Sequence, residues 1–327
     1  MSSNTENIAV FCTGNKEYIP MMVASLGIVA LKTGFHPWII TDAKDQETKD
    51  LLEKCNIGYI QQDLSEFFES DSINENWPSH SFWWAAGPEY LLDLGYKYSL
   101  FIDADIYCNL GISPEEFTDD LEIAACSYGD DTYNSGVIMF NNEKMREKML
   151  WRAATNNFLG LTTNVFEKWH GGKVHDQQLL TSLKSDSIFG KFLGSSYDFT
   201  IKDLDVTWNY DWREREGIND QYTRKSYDEL LEVVKFVHFA NSKPWQGLQS
   251  GWGSKHHGLF KLSDNPYGWP EKEGKEPRPL TRIKFVLDWR WYCGMIEQLK
   301  GVKLFDGFES LDVIHDHYFK LEEGVEV

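Results

Sequence analysis

The chain has 327 residues, a formal net charge of −19, 42% hydrophobic and 25% charged residues, the size and mix of one large globular domain or a domain with an appendage. So acidic a chain offers no basic surface to nucleic acid or an anionic membrane, which excludes both as expected partners. Five scattered cysteines (Cys12, Cys55, Cys108, Cys126, Cys293), without C-x-x-C spacing, read as reduced thiols of an intracellular protein, neither a disulfide framework nor a zinc site.

Taken in order, the chain opens with a polar N-terminus that carries no signal-peptide core, and no apolar run reaches membrane-spanning length. A soluble, cytoplasmic protein is expected. Ile8–Cys12 is a strand ending at the turn Thr13-Gly14-Asn15, and Tyr18 to Lys32 carries apolar residues at helical spacing, stopped by Thr33-Gly34. Trp38-Ile39-Ile40 reads as a second strand, Asp45–Lys54 as a helix and Ile57–Ile60 as a third strand. This alternation predicts a parallel sheet wound as βαβ units. Asp63–Pro88 reads as a loop leading into a helix containing Tyr90-Leu91-Leu92.

The next stretch, YSLFIDADIYCNL over 98–110, is the most informative. An apolar strand climbs into Asp103-Ala104-Asp105, where period-two alternation sends both carboxylates the same way with only a methyl between them. Two carboxylates at a strand's carboxyl end can share a divalent cation. A second Asp-x-Asp, Asp203-Leu204-Asp205, lacks the apolar strand before it and is expected in a loop.

Leu121–Cys126 and Val137–Phe140 are further strands, with Tyr133-Asn134-Ser135-Gly136 as a polar turn before the latter. Asn142–Thr155 reads as a helix capped by Asn142, and Asp176–Lys184 as a helix opened by an acidic residue. Asp176 and Gln177 at its start can present a carboxylate and an amide to a ligand. Thr207-Trp208-Asn209-Tyr210 is an aromatic loop, and Phe236–Phe239 the last clear strand. From that strand's end emerge His238 and, past Ala240-Asn241, Lys243 before Pro244-Trp245. Lys243 is a natural phosphate partner, and His238 with two carboxylates suits Mn²⁺ better than Ca²⁺. Residues 263–282, rich in Pro, Gly and charge, read as a linker, and Ile283–Leu299 as a helix in a C-terminal appendage. His315-Asp316-His317 looks metal-like, but residues two apart on a helix do not share a face. Aromatic residues make up 15% of the chain; their flat rings suit sugar stacking as well as core packing.

The series FIDAD, YNSGVIMFN, HDQQLL, WNY and VHFANSKPW, with the opening CTGNKEY, resembles the retaining glycosyltransferases of family 8, the glycogenin and bacterial galactosyltransferase group. The likeness spans Ile8 to Trp245. It implies a GT-A fold, a Rossmann-like α/β domain over 1–262 with a mainly parallel mixed sheet flanked by helices, followed by the 263–282 linker and a helical extension over 283–327. It also implies a UDP-sugar donor with Mn²⁺ (Mg²⁺ as the alternative ion). Carried over by position, Asp103, Asp105 and His238 hold the metal. Thr13, Asn15 and Tyr18 surround the base and ribose. Lys243 meets the diphosphate, Asn134 and Ser135 contact the donor sugar, and Asp176 and Gln177 lie beside the anomeric carbon.

The expected activity is transfer of a hexose, glucose or galactose favoured, to a hydroxyl of a glycan, glycoside or glycolipid acceptor, with a homodimer left open. A sugar-nucleotidyltransferase and a non-catalytic nucleotide-sugar- or glycan-binding module are the alternatives. The sequence departs from the family in two places. The helix SFWWAAGPEYLL has no basic residue aimed at the diphosphate, leaving the metal, Lys243 or Lys16 to neutralise it. Ala240-Asn241 replaces a loop glycine. No equivalent of glycogenin's self-glucosylated tyrosine is evident.

Overall fold

In the computed structural model, residues 4–70, 73, 79–127, 132–163, 174–194, 196–210, 227–239, 244 and 280–305 are described. Lys243, Trp245, residues 263–279 of the expected linker and His315-Asp316-His317 lie outside them, whereas residues 280–282, expected as the end of the linker, begin the C-terminal helix.

The predicted βαβ opening is present. β1 (Ile8–Thr13) leads through a single 3-10 turn to α1 (Ile19–Thr33), then β2 (His36–Thr41), α2 (Gln46–Lys54) and β3 (Gly58–Gln61). Local chemistry sets these boundaries. Pro20 sits in the first turn of α1, where its missing N–H costs nothing. Gly34, at φ 74°, ends that helix in the left-handed region a Cβ would disfavour. Asp45 caps α2 by accepting the Thr48 N–H at 3.1 Å.

β4 (Tyr98–Ile102) follows α3 (Gly87–Asp93) and lies beside β1 in a seven-stranded sheet of order β3-β2-β1-β4-β7-β6-β8. Every neighbouring pair is parallel except those made by β7 (Tyr133–Asn141), which runs antiparallel between β4 and β6 (Ile123–Ser127). β8 (Ile201–Leu204) closes the edge, parallel to β6. A separate two-stranded sheet pairs β5 (Ile106–Cys108) with β9 (Phe236–His238), Ile106 opposite His238. That pairing brings the histidine to the Asp-x-Asp turn.

Alternation along β1 divides the core between the two faces of the sheet. Ile8, Val10 and Cys12 face one cluster with α1 and the C-terminal helix, whereas Ala9 and Phe11 face another built on Phe82, Trp83 and Trp84. Those two tryptophans are fully buried, each contributing on the order of 2 kcal/mol or more of apolar burial. They are core rather than sugar platforms, as is Trp208.

Several elements differ from expectation. Residues 79–86 form a 3-10 helix where a loop was expected, held by its buried aromatics. The helix expected over Asn142–Thr155 is two, α4 (Asn142–Glu147) and α5 (Leu150–Thr163), broken at Met149 with φ 57°. Its cap is Asn141, which accepts the Lys144 N–H. Asn142 is buried instead, accepting from Ser99 Oγ at 2.6 Å and donating to Tyr96 O at 2.9 Å.

Asp203-Leu204 belongs to edge strand β8, not a loop, because pairing with β6 outweighs its polarity. Asp205 caps the next turn by accepting Thr207 N–H. All five cysteines are buried and unpaired.

Past α6 (Asp176–Ser182), α7 (Ile188–Leu193) and α8 (Tyr227–Leu231), α9 (Leu280–Lys300) shares the core around α1. Lys32 of α1 reaches between the rings of Tyr107 and Tyr292, 5.2 and 4.9 Å from their centroids, and donates to Asn109 O at 2.5 Å. Burial lowers the Lys32 ammonium below its ordinary range. Among the described residues no helix is long and apolar enough to cross a membrane.

Candidate functional site

The regular strand β4 stops at Ile102, and Asp103-Ala104-Asp105 forms a turn rather than a continued strand. Its backbone is anchored at every residue. Asp103 N–H donates to Gly136 O at 2.9 Å, and Ile106 N–H to Asp103 O at 3.2 Å. Ser25 Oγ of α1 donates to Ala104 O at 2.6 Å, and Phe239 N–H to Asp105 O at 3.0 Å. The expected convergence of the two carboxylates is therefore produced by a pinned turn, not by strand alternation.

His238 meets them from β9. Its Nε2 lies 3.6 Å from Asp103 Oδ2 and 3.5 Å from Asp105 Oδ1, and one ligating atom from each of the three residues falls within 4.8 Å of the others. Asp105 and His238 are buried, whereas the Asp103 side chain is 33% exposed, so the cluster opens to solvent on the Asp103 side. Below it, the buried Cys12 thiol is pushed well above its usual range, first by burial and then by the charges of Asp103 and Asp105. It stays protonated beside the cluster.

The other ring nitrogen of His238 faces Asn209, with Nδ1 2.9 Å from Oδ1. Asn209 Nδ2 lies 2.5 Å from Asn134 Oδ1, which also accepts Gly136 N–H at 2.7 Å. A Cβ on Gly136 would stand 2.5 Å from His238 Cε1, 2.7 Å from Nδ1 and 2.9 Å from Asn134 Oδ1. Only a glycine allows the ring to sit there.

These contacts bear on whether the residues suit a metal. Nδ1 of His238 is met by Asn209, and Nε2 faces the two carboxylates, where a divalent cation would join all three side chains. Two carboxylate oxygens and an imidazole nitrogen form a donor set that fits a first-row divalent ion such as Mn²⁺ better than Ca²⁺, which takes oxygen ligands. The donor set fits.

Of the remaining candidates, Asn134 is linked to the cluster through Asn209, and Ser135 meets Asp176. Asp176, at the start of α6, is buried and accepts a 2.5 Å hydrogen bond from Ser135 Oγ. Its Oδ1 has no hydrogen-bond partner among the described residues. Burial raises its carboxyl to about 6, against the lowering effects of Ser135, local backbone N–H groups and His238. Gln177 follows in the same first turn, half-buried.

Asn134 and Ser135 sit inside β7, not in a turn before it, because β7 begins at Tyr133. Asn134 is fully buried and its Nδ2 has no partner among the described residues. Thr13, at the carboxyl end of β1, donates to His80 O at 2.9 Å. Tyr18 packs on the His80 ring at 5.3 Å, and Asn15 accepts Glu17 N–H at 3.1 Å. Lys16 is paired with Asp45 at 3.1 Å.

Two residues were given no role from the sequence: Asn209, singled out only as part of an aromatic loop, and His80, next to an aromatic run. Burial alone lowers the His80 imidazole to about 4.

No protein-family model matches the chain, and no curated protein matches it in sequence. Solved structures do share its architecture. An active-site mutant of LgtC superposes with a TM-score of 0.52 at 16% identity, covering 75% of this chain and 92% of that one. The galactosyltransferase LgtC with donor and acceptor sugar analogues gives 0.51, with the same identity and coverage. The glycosyltransferase GlyE of Streptococcus pneumoniae TIGR4 gives 0.51 at 16% identity, over 96% of this chain and 63% of that one. The fold is thus that of the GT-A glycosyltransferases.

Proposed function

We propose that this chain is a metal-dependent, retaining glycosyltransferase that moves a hexose from a UDP-sugar to an acceptor hydroxyl, with glucose or galactose as the favoured sugar. The observation that carries the reading is the meeting of Asp103, Asp105 and His238 at the strand ends of a GT-A sheet, with a donor set suited to a divalent ion. In open α/β sheets this crevice is where ligands bind.

In this reading Asp103, Asp105 and His238 hold the ion, Mn²⁺ being favoured, against the donor's diphosphate. Once bound, such an ion supplies Lewis-acid stabilisation of the charge that develops on the departing phosphate. Thr13, Asn15 and Tyr18 line the carboxyl end of β1 and receive the base and ribose. Lys243 adds fixed positive charge for the diphosphate of an otherwise acidic protein.

In this reading Asp176, whose buried Oδ1 has no hydrogen-bond partner among the described residues, lies beside the donor sugar, and Ser135 orients the carboxyl by holding its other oxygen. Gln177 serves beside it. Retention follows either from departure of the leaving group and entry of the acceptor on one face, the departing phosphate taking the acceptor proton with no protein nucleophile, or from a double displacement with Asp176 or Gln177 as the nucleophile.

Calorimetric titration of UDP-glucose, UDP-galactose and GDP-sugars, with and without Mn²⁺, tests this reading. Mn²⁺-dependent binding of one UDP-sugar, lost in Asp105→Ala, is expected. Binding of no nucleotide sugar, or full transfer activity in Asp103→Asn, would sink it.

A further inference from the structure

We propose, on the footing of the metal reading above, that Asn209 is a positioning residue that fixes the tautomer of His238, and that Asn134 fixes Asn209 in turn. The three side chains form a polar chain whose direction is set at one end by a group that has no choice.

Backbone N–H groups only donate. Gly136 N–H points at Asn134 from 2.7 Å, so the atom it meets must be the side-chain oxygen. That oxygen also faces an Asn209 terminal atom at 2.5 Å, and two oxygens at that distance would repel. The Asn209 atom is therefore its amide nitrogen. The other terminal atom of Asn209 is then an oxygen, and it lies 2.9 Å from His238 Nδ1. An oxygen there requires a proton on Nδ1. A neutral ring with its proton on Nδ1 keeps its lone pair on Nε2, the nitrogen that faces Asp103 and Asp105.

All three residues are buried, with Asn134 at 0%, Asn209 at 3% and His238 at 4% exposure, so water is not on hand to substitute for a lost member. Amide orientations are ordinarily open to a flip. Here the flip is closed off, since reversing Asn209 sets its oxygen against the Asn134 oxygen, and reversing Asn134 sets its amide nitrogen against the Gly136 N–H. Asn209 comes from the segment after β8, well away in sequence from both Asn134 and His238. Its role is legible only from the folded chain. Partners that orient a metal-ligating histidine typically govern 10–100-fold in affinity.

The test uses the full chain with histidine-selective ¹⁵N labelling, without metal, with the pH raised until the His238 ring is neutral. The His238 signal is assigned by its loss in His238→Gln. The wild type is expected to show the Nδ1–H tautomer, and an Nε2–H ring there would overturn the proposal without any variant being made.

Asn209→Leu, similar in size but without an acceptor, is expected to move the proton toward Nε2 and to weaken Mn²⁺ binding by about 10–100-fold, read by titration of Mn²⁺ alone. Asn209→Asp keeps an acceptor for Nδ1 and is expected to keep the tautomer. An unchanged tautomer and unchanged Mn²⁺ affinity in folded Asn209→Leu would refute the assignment. If Asn209→Leu does not fold, the wild-type and Asn209→Asp spectra still decide. Failure of the wild type to bind Mn²⁺ would instead strike the metal reading, leaving the tautomer measurement to stand or fall separately.

Discussion

Ser135 Oγ and Asp176 Oδ2 lie 2.5 Å apart in the interior, and the hydrogen bond between them works against the burial that lifts Asp176 to about 6. Without the serine hydroxyl, the ionised carboxylate loses a donor and becomes harder to form. Ser135→Ala is expected to move the acid limb of the transfer rate, where Asp176 protonates, upward from about pH 6. A pH–rate profile of both proteins checks this, and coincident acid limbs would count against a role for the ionised form.

The same carboxyl and His80 pull acid stability in opposite directions. His80 has its pKa lowered to about 4 by burial, so between about pH 6.5 and pH 4 the unfolded chain binds a proton that the folded one refuses. Stability falls through that window by roughly 3 kcal/mol. Asp176 has its pKa raised, so the folded chain takes a proton first as pH falls through about 6, returning stability of the same order of magnitude. His80→Gln is therefore expected to be more acid-resistant than wild type, and Asp176→Asn less so. Denaturant titrations between pH 7 and pH 4 (about the His80 window) would show the two slopes diverging.

Gly136 leaves no room for a methyl group beside His238. In Gly136→Ala the new Cβ, 2.5 Å from Cε1 in the present positions, must displace the ring. A loss of about 1–3 kcal/mol in stability is expected from overpacking, with Mn²⁺ affinity reduced by at least tenfold as the ring leaves its place, about the scale of a disturbed ligand shell. Thermal unfolding and metal titration read the two effects separately.

Asp103 and Asp105 burden the metal-free fold with two converging negative charges. Mn²⁺ is expected to raise the melting temperature of the wild type, by an amount equivalent to about 2.7 kcal/mol at a hundredfold excess over its dissociation constant. In Asp105→Asn that rise should vanish, while the metal-free protein becomes equal to or more stable than wild type, since one buried charge is gone. A variant that melts lower in both conditions would show that Asp105 serves the fold instead.

The sequence and the structure agree where local signals act alone. The βαβ opening was legible because strand and helix periods alternate and Pro20, Gly34 and Asp45 punctuate them. The FIDAD stretch was legible because an apolar strand runs into two acids. Agreement ends where packing decides. The segment after Asn141 contains no glycine or proline, yet the chain breaks at Met149, a choice made by how α4 and α5 fit against β7 and the 79–86 segment. Tyr133-Asn134-Ser135 looks like a turn by composition, but pairing of Tyr133 with Ser127 and the Asp103 N–H to Gly136 O bond extend β7 through it. Asn209 sits in a tripeptide whose two aromatic neighbours are core, and nothing local marks the amide between them as different. Its partners come from two other parts of the chain.

The pairing of β5 with β9 also sets an order of events. The aspartates leave the ribosome early, with β1, β2 and β4 available to form their parallel ladder, whereas His238 is made only after β8 and the Asn209 segment. A nascent chain thus carries two ligands on a nearly complete sheet long before the third arrives. Long-range closure of this kind is slow relative to local structure. On the proposed metal reading, the three side chains meet only when β9 lies down beside β5, so ion capture would follow the formation of the main sheet rather than precede it.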